Sequence, residues 1–142
     1  MLRGVYILDT EIREIDDAFL LEPLVRLYIQ VHHKRDLRPS QWEALRFFHH
    51  DPGARLSDFA SWRRSTMGTT SITVSQLVKR GLLAREGDRN VNLRLTQAGK
   101  AIMADDPMLD FRNAIQELPD EERAVFRETL SQILERVSRS TE

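Results

Sequence analysis

Apolar side chains recur at helical spacing through most of the chain. Leu20, Leu24, Leu27, Tyr28 and Val31 form the stripe of an amphipathic helix over about 10–35. Pro23 lies inside that stretch and must either kink it or split off a short first piece around Ile12, Ile15 and Phe19. A second helix is predicted over about 40–50, with Pro39 in its first turn and Trp42, Leu45, Phe48 and His49 turned inward. Asp51-Pro52-Gly53 stops it. Ser57 is the expected N-cap of a third helix reaching Arg63, with Phe59 and Ala60 as its apolar residues. A fourth runs from about Thr66 to Lys79 and is closed by Gly81.

The period then changes. Leu82–Glu86 and Val91–Leu95 read as short strands around Gly87-Asp88-Arg89-Asn90, with Val91, Leu93 and Leu95 alternating against Asn92 and Arg94. Helical spacing returns after Thr96, a cap residue, and Pro107 interrupts it. Met108, Phe111, Ile115 and Leu118 share one stripe. Asp120 is the expected cap of a last helix, with Glu121 and Glu122 at its positive end. Along it Phe126, Leu130, Ile133 and Val137 repeat as in a helix-packing seam.

Helix, turn, helix and hairpin in that order is the winged helix-turn-helix arrangement, which places its second helix in the major groove of DNA. At 100° per residue, Met67, Thr70, Val74, Leu77 and Val78 of the 66–79 helix point one way and form its expected buried face. The opposite face collects Ser65, Thr69, Ile72, Gln76 and Lys79, with Gly68, Thr73, Ser75 and Arg80 at its edges. Hydroxyls can donate to phosphates or base edges, Gln76 can contact adenine through both amide atoms, and Lys79 and Arg80 can neutralise phosphates. Gly68 would allow close backbone approach. Ile72 is either ordinary surface exposure or an apolar contact for a thymine methyl. At the hairpin turn, Arg89 and Asn90 are placed to meet the minor groove or flanking backbone. The DNA-facing candidates are therefore Ser65, Thr66, Gly68, Thr69, Ile72, Thr73, Gln76, Lys79, Arg80, Arg89 and Asn90.

Charge agrees with this reading. The net charge of −1 hides a division: residues 1–60 carry −2, 61–100 carry +6 and 101–142 carry −5. A basic middle third is what a polyanion-facing segment shows. The chain has no cysteine, which excludes disulfides and thiolate chemistry. It has no apolar run long enough to span a membrane and no secretory leader pattern, so a cytoplasmic protein with no membrane partner is expected. Glycine-loop, HExxH and GxSxG patterns are missing, so no enzyme activity and no cofactor are expected.

Three strings make a more specific comparison. LRPSQWEALRFF resembles the opening of the second helix of the MarR family of transcription regulators. LVKRGLLAR is similar to the end of that family's recognition helix, and DRNVNLRLTQAGK to its wing; together with the flanking helices the likeness spans roughly 20–137. The resemblance implies a mainly α single domain with a small β-hairpin wing. In it the 37–104 winged-helix core is flanked by N- and C-terminal dimerisation helices in 1–36 and 105–142. It implies a homodimer on a pseudo-palindromic double-stranded operator, acting as a repressor, with the 66–79 helix in the major groove and the 86–91 wing at the minor groove. Arg89 matches the wing arginine, and Gly68, Thr69 and Ile72 match DNA-facing positions. The sequence departs from the family in a shorter wing, in Gly87 at the usual wing aspartate, in Arg38 at the usual threonine cap, and in Thr70 and Thr73 at apolar positions. The rival reading is a winged-helix protein–protein interaction module that has lost DNA binding, although such a module has no need of the +6 segment.

Relatives of this kind often bind small aromatic acids, so Tyr28, His32, Trp42 and Arg46 are candidates to line an effector pocket, or Tyr28 and Trp42 are simply core. His32-His33 and His49-His50 are the only histidines. Adjacent positions on a helix point about 100° apart, so each pair offers at most one ligand to a common site, and no metal is expected. One member of each pair is expected in the core and the other in solvent.

Overall fold

The computed structural model describes residues 17–33 and 35–141, so the expectations for Ile12 and Ile15 lie outside the described residues. These residues are mainly α-helical with one two-stranded antiparallel hairpin. They fall into two compact units that part between Pro107 and Met108.

In the first unit a 3-10 turn, Asp17–Leu20, leads into α1 (Leu21–His33). Then come α2 (Pro39–His50), α3 (Leu56–Arg63) and α4 (Met67–Lys79). Strands β1 (Leu83–Glu86) and β2 (Asn92–Leu95) precede α5 (Gln97–Ile102) and a closing 3-10 turn, Met103–Asp105. Pro23 is the third residue of α1, in the turn whose N–H groups have no intrahelical acceptor, and the separate 3-10 turn that holds Phe19 precedes it.

Helix starts are set by residues reaching back from the first turn. Arg38 precedes α2 and has no acceptor on its side chain, but its backbone N–H donates to Gln41 Oε1 at 2.9 Å. In the same way Arg55, not Ser57, stands at the cap of α3, and its N–H donates to Asp58 Oδ2 at 2.9 Å. Ser57 falls inside the first turn.

The core gathers Trp42, Leu45 and Phe48 from α2, Phe59 from α3, Val74 and Leu77 from α4, and Leu83, Leu93 and Leu95 from the hairpin. His49 faces solvent with His50, against the expectation, because Ala44, Leu45 and Phe48 already fill the inward stripe of α2. Leu83 pairs with Leu95 and Glu86 with Asn92. Val91 precedes β2 and is exposed, so the alternation begins one residue later than the sequence suggests. The segment after α2 adds a third edge to the hairpin: Gly53 N–H donates to Leu93 O and Leu93 N–H to Ala54 O, both at 2.9 Å. Thr96 caps α5 as expected, accepting from Gly99 N–H at 3.0 Å. At Gly99 an added Cβ would lie 2.1 Å from Leu82 O, so α5 lies directly on the backbone entering β1.

The second unit holds α6 (Leu109–Gln116) and α7 (Asp120–Ser140). Met108 and Leu118, expected on the α6 stripe, lie just outside the helix, while Phe111 and Ile115 are half-buried within it. Pro119, not Asp120, occupies the cap of α7; Asp120, Glu121 and Glu122 form its acidic first turn. Phe126, Ile133 and Val137 of the expected seam are exposed, and Leu130 is half-buried. Among the described residues no helix is long and apolar enough to cross a membrane.

Candidate DNA-binding surface

The surface is built on α4. Thr66 caps it, accepting from Thr69 N–H at 3.2 Å and donating its hydroxyl to Thr69 Oγ1 at 3.0 Å. Thr70, Thr73, Val74 and Leu77 are buried, a three-one-three spacing that turns the inner face about 40° from the expected one at 100° per residue. Two expectations fall with that rotation. Thr73, a candidate DNA contact, is buried, and its hydroxyl donates to Thr69 O at 3.3 Å. Met67, expected in the core, is half-exposed. Met67 is the first residue of α4, which follows a left-handed turn at Arg64 (φ 55°).

Thr69, Ile72, Ser75, Lys79 and Arg80 remain outward, with Ile72 62% exposed, and Ser65 is half-buried before the cap. Gly68 is exposed, and a Cβ there would meet nothing within 4 Å. Arg80 pairs with Asp36, while Lys79 makes no hydrogen bond or ion pair among the described residues.

Gln76 is half-buried and its amide is engaged within the chain. Its Oε1 accepts from Arg38 Nη2 at 2.5 Å and from Gln41 Nε2 at 3.2 Å. The two-atom amide contact to adenine expected from the sequence therefore lacks its acceptor. Spacing on one helix cannot reveal this, because both partners lie more than thirty residues away.

The hairpin tip carries Arg89 and Asn90, both exposed. Asn90 takes a left-handed conformation (φ 52°) and donates its N–H to Gly87 O at 3.1 Å, so its first task is closing the turn. Arg89 has no hydrogen-bonding or ionic partner among the described residues. Behind it Arg94 pairs with Glu86 through Nε at 3.1 Å, and Arg85 reaches back to α4, its Nη2 donating to Ser75 Oγ at 3.3 Å. A groove of about 510 Å³ lies between wing and helix, lined by Arg55, Met67, Arg85, Arg89, Asn90 and others. Arg55 and Arg85 were not among the sequence candidates. Arg55 arrives through its bridge to Asn92, which no local pattern announces. Arg85 was legible only as a strand residue.

The effector candidates separate. Trp42 is a core residue, 2% exposed, and its indole N–H has no hydrogen-bond partner among the described residues. Tyr28, His32 and Arg46 come together, with the Tyr28 and His32 rings 4.3 Å apart. His32 is buried and His33 exposed, as expected of that pair. Arg46 can only donate, so His32 Nε2, 3.0 Å from Arg46 Nη2, accepts, and Nδ1–H donates to Tyr28 O at 2.7 Å. The guanidinium also forks onto Asp106, with Nε 2.9 Å from both carboxylate oxygens and Nη2 2.7 Å from Oδ1. Asp106 is buried and supplies the countercharge that the sequence reading left unassigned. Burial pushes the pKa of the Tyr28 phenol above its ordinary value, reinforced by Glu43 and opposed by Arg46 and Arg63. Among the described residues no three metal-ligating side chains cluster.

No family model matches the sequence, and neither does any curated protein. Solved structures do. A MarR family protein from Bacillus stearothermophilus superposes with a TM-score of 0.62 at 20% identity, covering 97% of this chain and 98% of that one. The PcaV transcriptional regulator of Streptomyces coelicolor, solved with its natural ligand, gives 0.65 at 20% identity over 86% and 94%. A MarR transcriptional regulator from Methanosarcina mazei gives 0.65 at 19% over 87% and 92%. The chain has the MarR winged-helix fold. In the terms of that fold, α3 and α4 are the two helices of the helix-turn-helix and the hairpin is the wing, with Thr69, Ile72 and Lys79 exposed on the second helix.

Proposed function

We propose that this chain is a MarR-family member acting in the cytoplasm as a homodimeric, sequence-specific DNA-binding transcription regulator, and as a repressor that competes with polymerase for promoter DNA. The observation that carries this reading is the outer face of α4. Thr69, Ile72 and Lys79 stand exposed beside a wing whose Arg89 has no ionic partner among the described residues. An apolar side chain left open between hydroxyls and cations suits a duplex major groove, where a thymine methyl gives it a contact. Phosphate contacts by Lys79, Arg89 and the neighbouring arginines supply most of the affinity, and base edges met between Gly68 and Gln76 supply the specificity. Apolar residues left open on α1 and α7 are suited to pairing with a second copy. A small-molecule effector would act at the Tyr28–His32–Arg46 cluster and change the spacing of the two recognition helices, and PcaV itself was solved with its natural ligand.

The test is selection of bound sequences from a pool of random duplexes by the full-length protein, with binding followed against salt. The expected result is a pseudo-palindrome with half-sites about one helical turn apart. Arg89→Ala should then weaken binding across all sequences and reduce the salt slope by about one. Failure to enrich any motif at low salt, with Thr69→Ala and Arg89→Ala changing nothing, would favour a protein–protein interaction module.

A further inference from the structure

Two side chains at the start of α2, Arg38 and Gln41, fix how the Gln76 amide of α4 is turned. The chain of donors is determined from one end. The backbone N–H of Arg38 can only donate, and it donates to Gln41 Oε1 at 2.9 Å. That settles which end of the Gln41 amide is oxygen, so its other end, Nε2, is the donor that meets Gln76 at 3.2 Å. Arg38 Nη2, again a donor only, meets the same Gln76 atom at 2.5 Å. Two donors converge on one atom, and that atom must be the carbonyl oxygen. Gln41 is 5% exposed and is tied into the first turn of α2, which leaves it little freedom to turn over.

The consequence falls on the free end of Gln76. Its Nε2 has no partner among the described residues. Gln76 lies one turn beyond the exposed Ile72 and two beyond Thr69 along α4. An amide with both ends free matches adenine, accepting from N6–H while donating to N7. An amide whose oxygen is held from behind has only its two N–H bonds to offer. Guanine presents two adjacent acceptors, N7 and O6, in the major groove, whereas adenine sets a donor beside its N7.

We infer that Gln76 is a donor-only specificity residue that selects guanine over adenine in the operator, with Arg38 and Gln41 as the positioning residues that hold its carbonyl away from the DNA. The inference rests on the DNA-binding reading above and deepens it. It also gives a role to Arg38, which stands where the family pattern has a threonine cap.

The test uses the full-length protein and the duplex enriched by selection. The base pair read by Gln76 is the one whose discrimination Gln76→Ala abolishes, and binding is measured with each of the four base pairs there. The wild-type protein should prefer guanine to adenine at that position by at least about five-fold. The double variant Arg38→Thr/Gln41→Glu reverses the polarity of the lock. The carboxylate installed at position 41 can still accept from the cap N–H but must now accept from Gln76 as well, so the carbonyl turns outward. Threonine followed three residues later by glutamate is itself a capping box, so the start of α2 is retained, and a thermal melt checks this. The variant should shift the preference towards adenine or cytosine, whose amino groups donate in the major groove, while other operator positions keep theirs. Adenine preferred by the wild type, or a folded double variant with wild-type preferences, overturns the inference. An operator in which no position depends on Gln76 overturns it too and leaves the DNA reading standing. Enrichment of no operator at all overturns both.

Discussion

Gly68 sits in the first turn of α4 with open space where a Cβ would be, so nothing among the described residues requires a glycine there. Alanine is the better helix former by up to about 1 kcal/mol. Gly68→Ala should therefore leave the melting temperature unchanged or raised, while operator binding weakens at least several-fold because the added methyl stands between backbone and duplex. Thermal unfolding and a binding titration separate the two effects. A variant equally stable and equally tight would remove Gly68 from the DNA face. Single residues were the least legible in the sequence. The outward direction of Thr69 and Ile72 could be read from helical spacing, but an error of about 40° in phase placed Thr73 outside and Met67 inside. Gln76 could be placed on its face, yet its hydrogen bonds to Arg38 and Gln41 depend on tertiary approach. Arg46 was recognisable as a charge near Tyr28 and His32. Its carboxylate partner was not, since Asp105 and Asp106 are alike in sequence and Asp106 is the one that meets it.

Elements were more legible because their signals are repeated along several residues. The order of helices and the hairpin followed from spacing, and Thr96 from cap chemistry. Starts slipped by a residue or two where the cap acts in reverse. At Arg38 and Arg55 the helix is entered through a backbone N–H held by Gln41 or Asp58, which leaves no Ser, Thr or Asn at the cap for a reader to find. The Gly53–Ala54 edge beside β2 is only two residues of backbone pairing and carries no periodicity. Packing of elements supplies the sharpest stability prediction. A side chain at position 99 would meet Leu82 O at 2.1 Å, a rigid backbone atom, and α5 would have to move off β1. Gly99→Ala should destabilise the protein by about 2–4 kcal/mol, measured by denaturant unfolding. A loss of less than about 0.5 kcal/mol would show that α5 is not seated on the hairpin as described.

At the scale of the whole molecule, charge and hydrophobicity divide along the sequence in the way the proposed dimeric DNA reader needs. The +6 segment at 61–100 contains α4 and the wing, and the acidic flanks keep the net charge near zero. On α7, Val125, Phe126, Ile133, Leu134 and Val137 lie open; on α1, Leu21, Leu24, Val25 and Ile29 do. Apolar surface of that extent on a charged helix is characteristic of an interface. These features were visible in the sequence as stripes and as a charge imbalance, and in the proposed dimer a second copy covers the apolar faces. If two copies present α4 and the wing to one duplex, as proposed, footprinting of the full-length protein on its selected operator will show it. The expected footprint has two equivalent major-groove protections about 10 base pairs apart, centre to centre, each flanked by minor-groove protection that disappears in Arg89→Ala. A single unpaired protection, or a footprint unchanged when Thr69 and Arg89 are replaced, would contradict it.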